Sequence, residues 1–459
     1  MNPQLLLLLI LSGPGLLFLS LSLAWLLGSP FSERAISKLT GYVYCLLSLC
    51  VAALGLSLWI TPSHAIRANL GFWYSVGDYG FPVEFLADSL SFPLIAATVI
   101  LVGLVASFST RYLHRDPGFN RFFLLLNLFA FGALLVFSSA SIDLLIAGWE
   151  LVGITSVLLI AFFQYRPDPV RNGLRVFATY RLADLAILFA VFLAHHWTGS
   201  SSWESLFKAT HASGASLAPG QIHALAVLLV LAACGKSAQG PFAGWLPRAM
   251  EGPTPSSAVF YGAISVHAGA YLLLRAYPLI SASIVASCLL FLIGAGTALL
   301  STLVHRTCAD AKNSLAYAAQ TQLGIIFAEI ALGLKTLALL HLCSHAIIRS
   351  MQFLRAPSML RDYHRVHAAA GGHLPPTGEH LEALLPTPFQ ILLYRVALGR
   401  GFYDAIVDRW LVAPTLALAK ILARLEPHWI RPHSSPPTTP AASPELTDDT
   451  SEVSRVSSP

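Results

Sequence analysis

Charged side chains recur inside stretches of this chain that are otherwise almost wholly apolar. Glu150 stands in LLIAGWELVG, Asp184 follows Arg181 by three residues in YRLADLAIL, and Lys236 ends IHALAVLLVLAACGK. A charged group costs about 3 kcal/mol or more at the centre of a bilayer, so one that is retained there generally has a function. Carboxylates and lysines accept and release protons, so these residues predict proton transfer inside a membrane.

The pattern continues in the second half of the chain, where more titratable residues stand in apolar stretches. They are His267, Lys312, Glu329, His341 and His345. His341 and His345 precede Arg349 at intervals of four residues, which places the three side chains on one face of a helix. This distribution predicts a polar axis through a bundle of helices.

Each of these residues also has a purely structural interpretation. Arg181 and Asp184 can form a static ion pair between helices, and a single histidine can be a hydrogen-bonded helix contact. Glu150 and Lys236 fit that interpretation less well, because neither has an opposite charge close to it in the sequence.

The composition decides what kind of elements must position these side chains. Of the 459 residues, 55% are hydrophobic and 11% are charged, whereas a soluble protein carries roughly 25% charged residues. Apolar segments of about 20 residues, each able to cross a bilayer, recur along the chain. We predict an all-α polytopic membrane protein with eleven spans: 4–28, 40–60, 86–109, 120–138, 142–163, 174–196, 222–246, 255–277, 280–304, 312–333 and 335–355.

The basic residues predict the orientation of these spans. Lysines and arginines concentrate in the loops after the odd-numbered spans 1 to 9, and the positive-inside rule makes those loops cytoplasmic. They are Arg34, Lys38, Arg111, Arg115, Arg166, Arg171, Arg248 and Arg306. The N-terminus is then outside and the C-terminus in the cytoplasm. The formal net charge of +5 is explained by these loops and requires no nucleic-acid partner.

The remaining sequence divides the chain into regions. We expect an N-terminal two-span region with an outer loop at 1–84, a proton-conducting core at 85–356, and a cytoplasmic loop and amphipathic helix at 357–432. The amphipathic helix is predicted for 401–425, and a disordered tail for 433–459, which is rich in Ser, Pro, Thr and acid. The six cysteines form no CxxC pair, and we find no nucleotide, haem or iron–sulfur motif. We therefore expect no cofactor and no metal on this chain.

A helix break is predicted beside Lys236. Gly240 and Pro241 follow it in GKSAQGPFAG, and proline removes a backbone donor, so the seventh span should break shortly after Lys236. A broken membrane helix presents backbone carbonyls inside the protein, where they and water can solvate a lysine that changes charge. A desolvated lysine, unlike an arginine, can lose its proton near neutral pH.

These segments also carry a family resemblance. In chain order, GWELVG, RLAD, KSAQGPFAGWLPRAMEGPTPSSA, DAKNSLAYAAQTQLG and HLCSHAIIRSMQFL resemble the antiporter-like membrane subunits of respiratory NADH:quinone oxidoreductase, the subunit L type, and the Mrp antiporters. The resemblance covers about residues 85–356. It implies that Glu150 and Lys236 form a charge pair for proton uptake, and that Lys312, His341 and His345 continue a water-filled axis. It also implies the inner membrane of a bacterium.

The sequence departs from the family pattern at several points. The second broken helix, span 12, is not found; Tyr261 stands where the family has a histidine, with His267 six residues later; and Arg349 replaces a common lysine. We therefore expect the chain to need a partner for proton exit. The length and the segment YDAIVDRWLVAPTLALAKIL resemble stand-alone relatives of subunit L, such as the DabB-type membrane subunit of inorganic carbon pumps. That resemblance implies a zinc-containing, carbonic-anhydrase-like partner.

Three functional hypotheses follow. The chain can be an ion-conducting subunit that powers a partner's chemistry, such as inorganic carbon uptake. It can be a membrane subunit of an NADH- or ferredoxin:quinone oxidoreductase whose redox centres lie on other chains. It can also be a scaffold that kept the fold and lost conduction. The intact pair of Glu150 and Lys236 argues against the third.

Overall fold

The computed structural model describes residues 2–76, 79–211, 217–369 and 384–402, and short runs between 409 and 424. By internal contacts, Met1–Tyr403 form one compact unit and Asp404–Pro459 another. Most of the amphipathic helix predicted for 401–425, and all of the tail predicted for 433–459, lie outside the described residues.

Long apolar helices dominate the first unit. In the part of the chain that is described, ten helical segments are long and apolar enough to cross a membrane. They are α1 (Pro3–Leu26), α2 (Glu33–Ile60), α3 (Ser91–Tyr112), α4 (Phe119–Ser138), α5 (Ile142–Ile160), α6 (Pro167–Thr198), α8 (Pro219–Lys236), the segment Thr254–Arg275, α13 (Ile284–Arg306) and α15 (Lys335–Arg355). The prediction of a polytopic helical membrane protein is confirmed.

The predicted tenth span differs from the other ten. It forms α14 (Ala311–Ala331), a helix of 21 residues, but its polar side chains keep it outside the set of strongly apolar helices. Lys312, Gln320, Gln322 and Glu329 all lie on it. The helix packs against both α13 and α15, so neighbouring helices, rather than lipid alone, surround its polar residues.

Two regions expected to be loops are structured. The outer loop between the second and third spans is an antiparallel hairpin of β1 (Ala65–Val76) and β2 (Tyr79–Asp88), which also takes the residues predicted to begin the third span at 86. The region 357–400 contains α16 (Met359–Ala369) and α17 (Thr387–Leu398). The apolar run of α17 packs on α13, whereas the Pro, Gly and His residues around it favoured a loop prediction.

Several short elements complete the unit. They are α7 (Trp203–His211), α9 (Trp245–Arg248), a 3-10 turn (Ala249–Glu251), α10 (Thr254–Ser256), a π-helix (Ser257–Ala263), α11 (His267–Arg275), α12 (Tyr277–Ser281), and 3-10 turns at Ala356–Ser358 and Arg400–Phe402.

The alternation of the spans defines two sides of the molecule. The hairpin joins the end of α2 to the start of α3, and the α4–α5, α6–α8 and α14–α15 connections lie on the same side as the hairpin. We call it the hairpin side. The α5–α6, α8–α10 and α13–α14 connections lie on the opposite side.

Glycines bring the helices that carry the polar residues into close contact. A Cβ at Gly148 on α5 would lie 2.5 Å from the carbonyl oxygen of Gly132 on α4. A Cβ at Gly324 on α14 would lie 2.5 Å from the carbonyl oxygen of Gly294 on α13. Such glycine contacts let membrane helices approach backbone to backbone. They fix α5 and α14 against their neighbours, and these two helices carry Glu150 and Glu329.

Candidate functional site

Lys236 is the last residue of α8 and is almost wholly buried. It is 1% exposed, and a Cβ at Gly235 beside it would lie 2.1 Å from the Cβ of Ala183 on α6. Only a glycine at position 235 therefore lets α8 approach α6 this closely. The contact places Lys236 next to the part of α6 that carries Arg181 and Asp184.

The ammonium group of Lys236 is surrounded by aromatic rings. Its Nζ lies 5.1 Å from the ring centre of Trp149 and 4.3 Å from that of Tyr180, both within the range of cation–π attraction. A Cβ at Gly153 would lie 2.9 Å from Nζ, so the missing side chain at this position makes the space for the ammonium. Among the described residues, Nζ has no hydrogen-bond partner.

The carboxylates expected to pair with Lys236 are held by Arg181. A single guanidinium nitrogen of Arg181, Nη2, donates to Glu150 and also to Asp184 Oδ2, at 2.7 Å from the latter. The indole of Trp149 donates to the other oxygen of Asp184 at 2.6 Å. Asp184 is 2% exposed, so its charge is fully engaged.

The pair that the resemblance implies between Glu150 and Lys236 is therefore not formed directly. Arg181 lies one helical turn before Asp184 on the same helix, and its long side chain places one donor, Nη2, between the two carboxylates. It reaches both carboxylates while Lys236 stands beside the cluster. Glu150 and Asp184 still act electrostatically on the charge of Lys236.

The chain leaves the helix immediately after Lys236. Residues 237–244 are turns and bends, and the helical path resumes only at α9. Gly240 donates its N–H to Thr297 Oγ1 at 3.0 Å, and Gln320 on α14 donates to the carbonyls of Ala238 and Ala243 at 3.2 and 2.5 Å. The helix break around Pro241 leaves backbone N–H and carbonyl groups without helical hydrogen bonds. Side chains from α13 and α14 supply partners for three of them.

A second break, which the sequence analysis did not predict, interrupts the next span. The π-helix Ser257–Ala263 ends there, residues 264–266 are not helical, and α11 begins at His267. Ser237 donates its hydroxyl to the carbonyl of Val266 at 2.6 Å. The two breaks therefore face each other, and the residue after Lys236 contacts the residue before His267.

A pair of buried histidines follows the second break. His267 Nε2 lies 2.8 Å from His345 Nδ1, and the two side chains are 0% and 6% exposed. One proton shared by the two facing nitrogens makes this a hydrogen bond, so the pair can hold and pass a proton. The ring of His341 lies 6.4 Å from that of His345, centre to centre, a separation that one bridging water can span.

His341 has an acceptor at each ring nitrogen. Its Nδ1 lies 3.0 and 3.2 Å from the two carboxylate oxygens of Glu329, and its Nε2 lies 3.0 Å from Gln322 Oε1. The ring of His341 is thus held from both sides, by a carboxylate and by an amide.

Two residues of the predicted polar axis, Lys312 and Arg349, lie apart from the polar row formed by Lys236, His267, His345, His341 and Glu329. Lys312 is in the first turn of α14 and donates to the carbonyls of Met250 and Gly252 at 2.9 Å each. The helical rise places it roughly 15 Å from Gln322 along the same helix, so the structure does not bring Lys312 between Lys236 and His345. Arg349 lies one turn beyond His345 on the buried face of α15.

Several buried polar atoms around the row have no partner among the described residues. They belong to Lys236, Gln239, Ser257, Tyr261, His345 and Arg349. Buried polar groups are normally hydrogen-bonded to protein or to ordered water, and water is the remaining partner for a concentration of such atoms. No group of three His, Cys, Asp or Glu side chains in the described part of the chain is placed to hold a metal ion.

With this geometry in place, comparison with known proteins is informative. The transmembrane family described as NADH:quinone oxidoreductase/Mrp antiporter matches residues 139–371, about half of the chain. The chain belongs to this family. The family described as the N-terminus of chain 5 of NADH-ubiquinone oxidoreductase (complex I) matches residues 73–123. The resemblance drawn from the five motifs is confirmed at the level of the family.

Relatives of this antiporter-like protein are subunits of larger assemblies. One relative is NADH-quinone oxidoreductase subunit L of Campylobacter jejuni, which is 33% identical over 337 aligned residues. The alignment covers 73% of this chain and 55% of that protein. The chain spans about half the length of the curated relatives it matches.

Two solved structures have a similar fold. One is a chain of the Mrp complex of a Dietzia species, with a TM-score of 0.63 and 27% identity. The match covers 76% of this chain and 37% of that chain. The other is a chain of the membrane-bound sulfane sulfur reductase, an archaeal respiratory membrane complex, with a TM-score of 0.66. The match covers 76% of this chain and 70% of that chain. At 19% identity, the second match shows the fold alone. The antiporter-like protein is thus a multi-pass membrane protein of this fold.

Proposed function

We propose that the antiporter-like protein is a proton-translocating membrane subunit. The observation that carries the proposal is the buried ammonium of Lys236, which has no hydrogen-bond partner in the described part of the chain and lies beside carboxylates held by Arg181. A charge without a hydrogen-bond partner is costly in an apolar interior. A purely structural lysine would be expected to pair with Glu150 or Asp184, whereas a lysine that loads and releases a proton must be able to stand alone.

In this proposal, Arg181 and Lys236 compete for the same two carboxylates. In one state of the proposed cycle, Arg181 holds Glu150 and Asp184, which are the contacts observed, and Lys236 is free to release its proton. When Lys236 takes up a proton, its ammonium is drawn towards the carboxylates and loosens the contacts of Arg181. Each cycle moves one proton through the Nζ of Lys236.

The released proton has a short route across the two helix breaks. Ser237 contacts Val266, His267 follows directly, and its ring contacts His345. Water among the unpartnered polar atoms connects these groups. Lys236, His267 and His345 are buried, which keeps the proton from exchanging with bulk solvent along this part of the route.

We further propose that the hairpin side faces outward across a bacterial inner membrane. Arginines of the α5–α6, α8–α10 and α13–α14 connections lie on the opposite side, which the positive-inside rule makes cytoplasmic. Partner subunits supply the chemistry that drives or uses the proton flow, as the subunit names of the relatives indicate. Co-purification of a carbonic-anhydrase-like protein would support inorganic carbon uptake, and iron–sulfur subunits would support a quinone oxidoreductase.

The proposal is tested with Glu150→Gln and Lys236→Met in the protein's own membrane complex. Both variants preserve size and remove a charge, so we expect them to insert normally and to lose proton-coupled activity by about a hundredfold, the usual scale for a lost proton-transfer group. Arg171→Met is the matched control, because Arg171 is 81% exposed at the far end of α6. Full activity in both test variants would refute proton translocation through this site and favour a scaffold.

A further inference from the structure

Glu329 is the residue of the polar row for which neither the motifs nor the proposed mechanism supplies a role. It lies near the end of α14, and its carboxylate presents both oxygens to His341 Nδ1 on α15. The side chains of Glu329 and His341 are 14% and 22% exposed, whereas the His267–His345 pair is buried. Both residues of this pair are therefore more exposed than the buried histidine pair, and Glu329 is less exposed than His341.

The positions of these residues along their helices form a descending series. Counted from the hairpin-side ends of α14 and α15, the helical rise places His345 about 15 Å deep, His341 about 9 Å and Glu329 about 3 Å. Each step brings the next titratable group nearer to the α14–α15 connection at residues 332–334. The series leads from the middle of the bundle to its hairpin-side surface.

We infer that His341 and Glu329 form a proton exit to the hairpin side, so that the path from Lys236 to that side is complete within this chain. The inference rests on the proposed function, and it replaces the expectation that a partner must supply the exit. It does not use Arg349, which lies towards the opposite side of the membrane.

The chemistry of each step is a simple proton transfer. The imidazolium of His341 gives its Nδ1 proton to a carboxylate oxygen of Glu329, which becomes the neutral acid. Glu329 releases that proton to water at the hairpin side and returns to the carboxylate. The neutral His341 keeps its Nε2 proton on Gln322, so the next proton must enter at the vacant Nδ1. Water carries it there from the His345 ring after Glu329 has released its own proton.

The competing interpretation is a static ion pair that joins α14 to α15. The variant Glu329→Gln distinguishes a proton exit from a static ion pair. Its amide oxygen still accepts a hydrogen bond from Nδ1 of His341, but the amide cannot accept a proton at physiological pH. Glu329→Asp keeps the titratable group on a shorter side chain. A static contact should tolerate glutamine, whereas an exit group should tolerate only the acid.

The experiment uses the full-length chain in liposomes, with a potassium diffusion potential as driving force and an internal pH dye as readout. We expect proton flux from the wild type, a loss of about tenfold or more in Glu329→Gln, and partial recovery in Glu329→Asp. Glu204→Gln is the matched control, because Glu204 is an exposed glutamate on the hairpin side, paired with Arg67 and Lys208, and it should leave the flux unchanged.

The outcomes separate the exit from the proposed function. Wild-type flux in Glu329→Gln, or the absence of flux from the isolated wild-type chain, would overturn the inference of a complete exit. The proposed function is tested separately by Lys236→Met in the same liposomes: flux that persists in this variant would refute uptake through Lys236, whatever the result for Glu329.

Discussion

The two ends of the polar row hold their charges in different ways. At the proposed uptake end, Lys236 has no hydrogen-bond partner among the residues that the structure describes, while Arg181 contacts both Glu150 and Asp184. At the exit end, His341 has an acceptor on each nitrogen and Glu329 is its direct partner. Lysine is thus held apart from its acceptors at one end, and histidine is joined to its acceptors at the other.

This difference assigns different tasks to the two ends. In the proposed cycle, Lys236 reaches the carboxylates only when the side chain of Arg181 moves away from them. A partner subunit that favours or prevents this movement would drive or block proton loading. A directly bonded pair such as His341 and Glu329 passes a proton with little rearrangement. Control should therefore lie at the uptake end, and the exit should only conduct.

Arg181→Met should have the largest effect on this comparison. Without the guanidinium, Glu150 and Asp184 are free to hold the Lys236 ammonium directly, so the uptake end becomes a fixed pair like the exit end. We expect proton flux to fall by about tenfold or more, equivalent to at least 1.4 kcal/mol in the barrier. Flux in liposomes measures the effect, and unchanged flux would show that Arg181 does not control Lys236.

Gly153→Ala should have the next largest effect, because it displaces the ammonium group of Lys236 without removing a charge. The added methyl would lie 2.9 Å from Lys236 Nζ and must push the ammonium away from its present site. We expect a several-fold loss of flux, of order 1 kcal/mol. Gly296→Ala on α13 is the control, because a Cβ there meets nothing within 4 Å; equal flux in the two variants would contradict the placement of Lys236.

Asp88→Asn should have the smallest effect on flux, because its ion pair holds structure only. Asp88 accepts two hydrogen bonds from Arg275, at 2.6 and 3.0 Å, and thereby ties the hairpin to the far end of the helix that begins at His267. Removing one partner of a largely buried pair costs about 3 kcal/mol. We expect a lower unfolding temperature in detergent, nearly normal flux, and little change in the control Glu204→Gln, whose side chain is 49% exposed.

The Asp88 pair also predicts a pH dependence of stability. Burial raises the pKa of Asp88, but the hydrogen bond and the charge of Arg275 lower it by more, so that it lies below the usual 3.8. The stabilisation is therefore complete above that usual pKa and is lost as the pH falls through the lowered one. Asp88→Asn should remove this acid-dependent loss, and an unchanged acid profile would contradict it.

The sequence by itself determined the class of protein and the placement of most polar residues. Its composition excluded a soluble fold, and its apolar lengths located the membrane helices, because a bilayer tolerates few other spanning structures. The spacing of His341, His345 and Arg349 placed them on one helix face, because helical periodicity is local. Gly240 and Pro241 indicated where the seventh span leaves its helix, because their backbone effects are local too.

Only the tertiary structure decided which charges meet. Arg181 binds the carboxylates that were expected to pair with Lys236. Gln320 on α14 binds the backbone at a break about 80 residues earlier in the chain, and Glu329 on α14 contacts His341 on α15. Ion pairs and hydrogen bonds between helices depend on how the helices approach one another, and that approach is set by contacts such as Gly235 against Ala183. The sequence contains the groups that can hold a proton, and packing between the helices decides which of those groups contact one another.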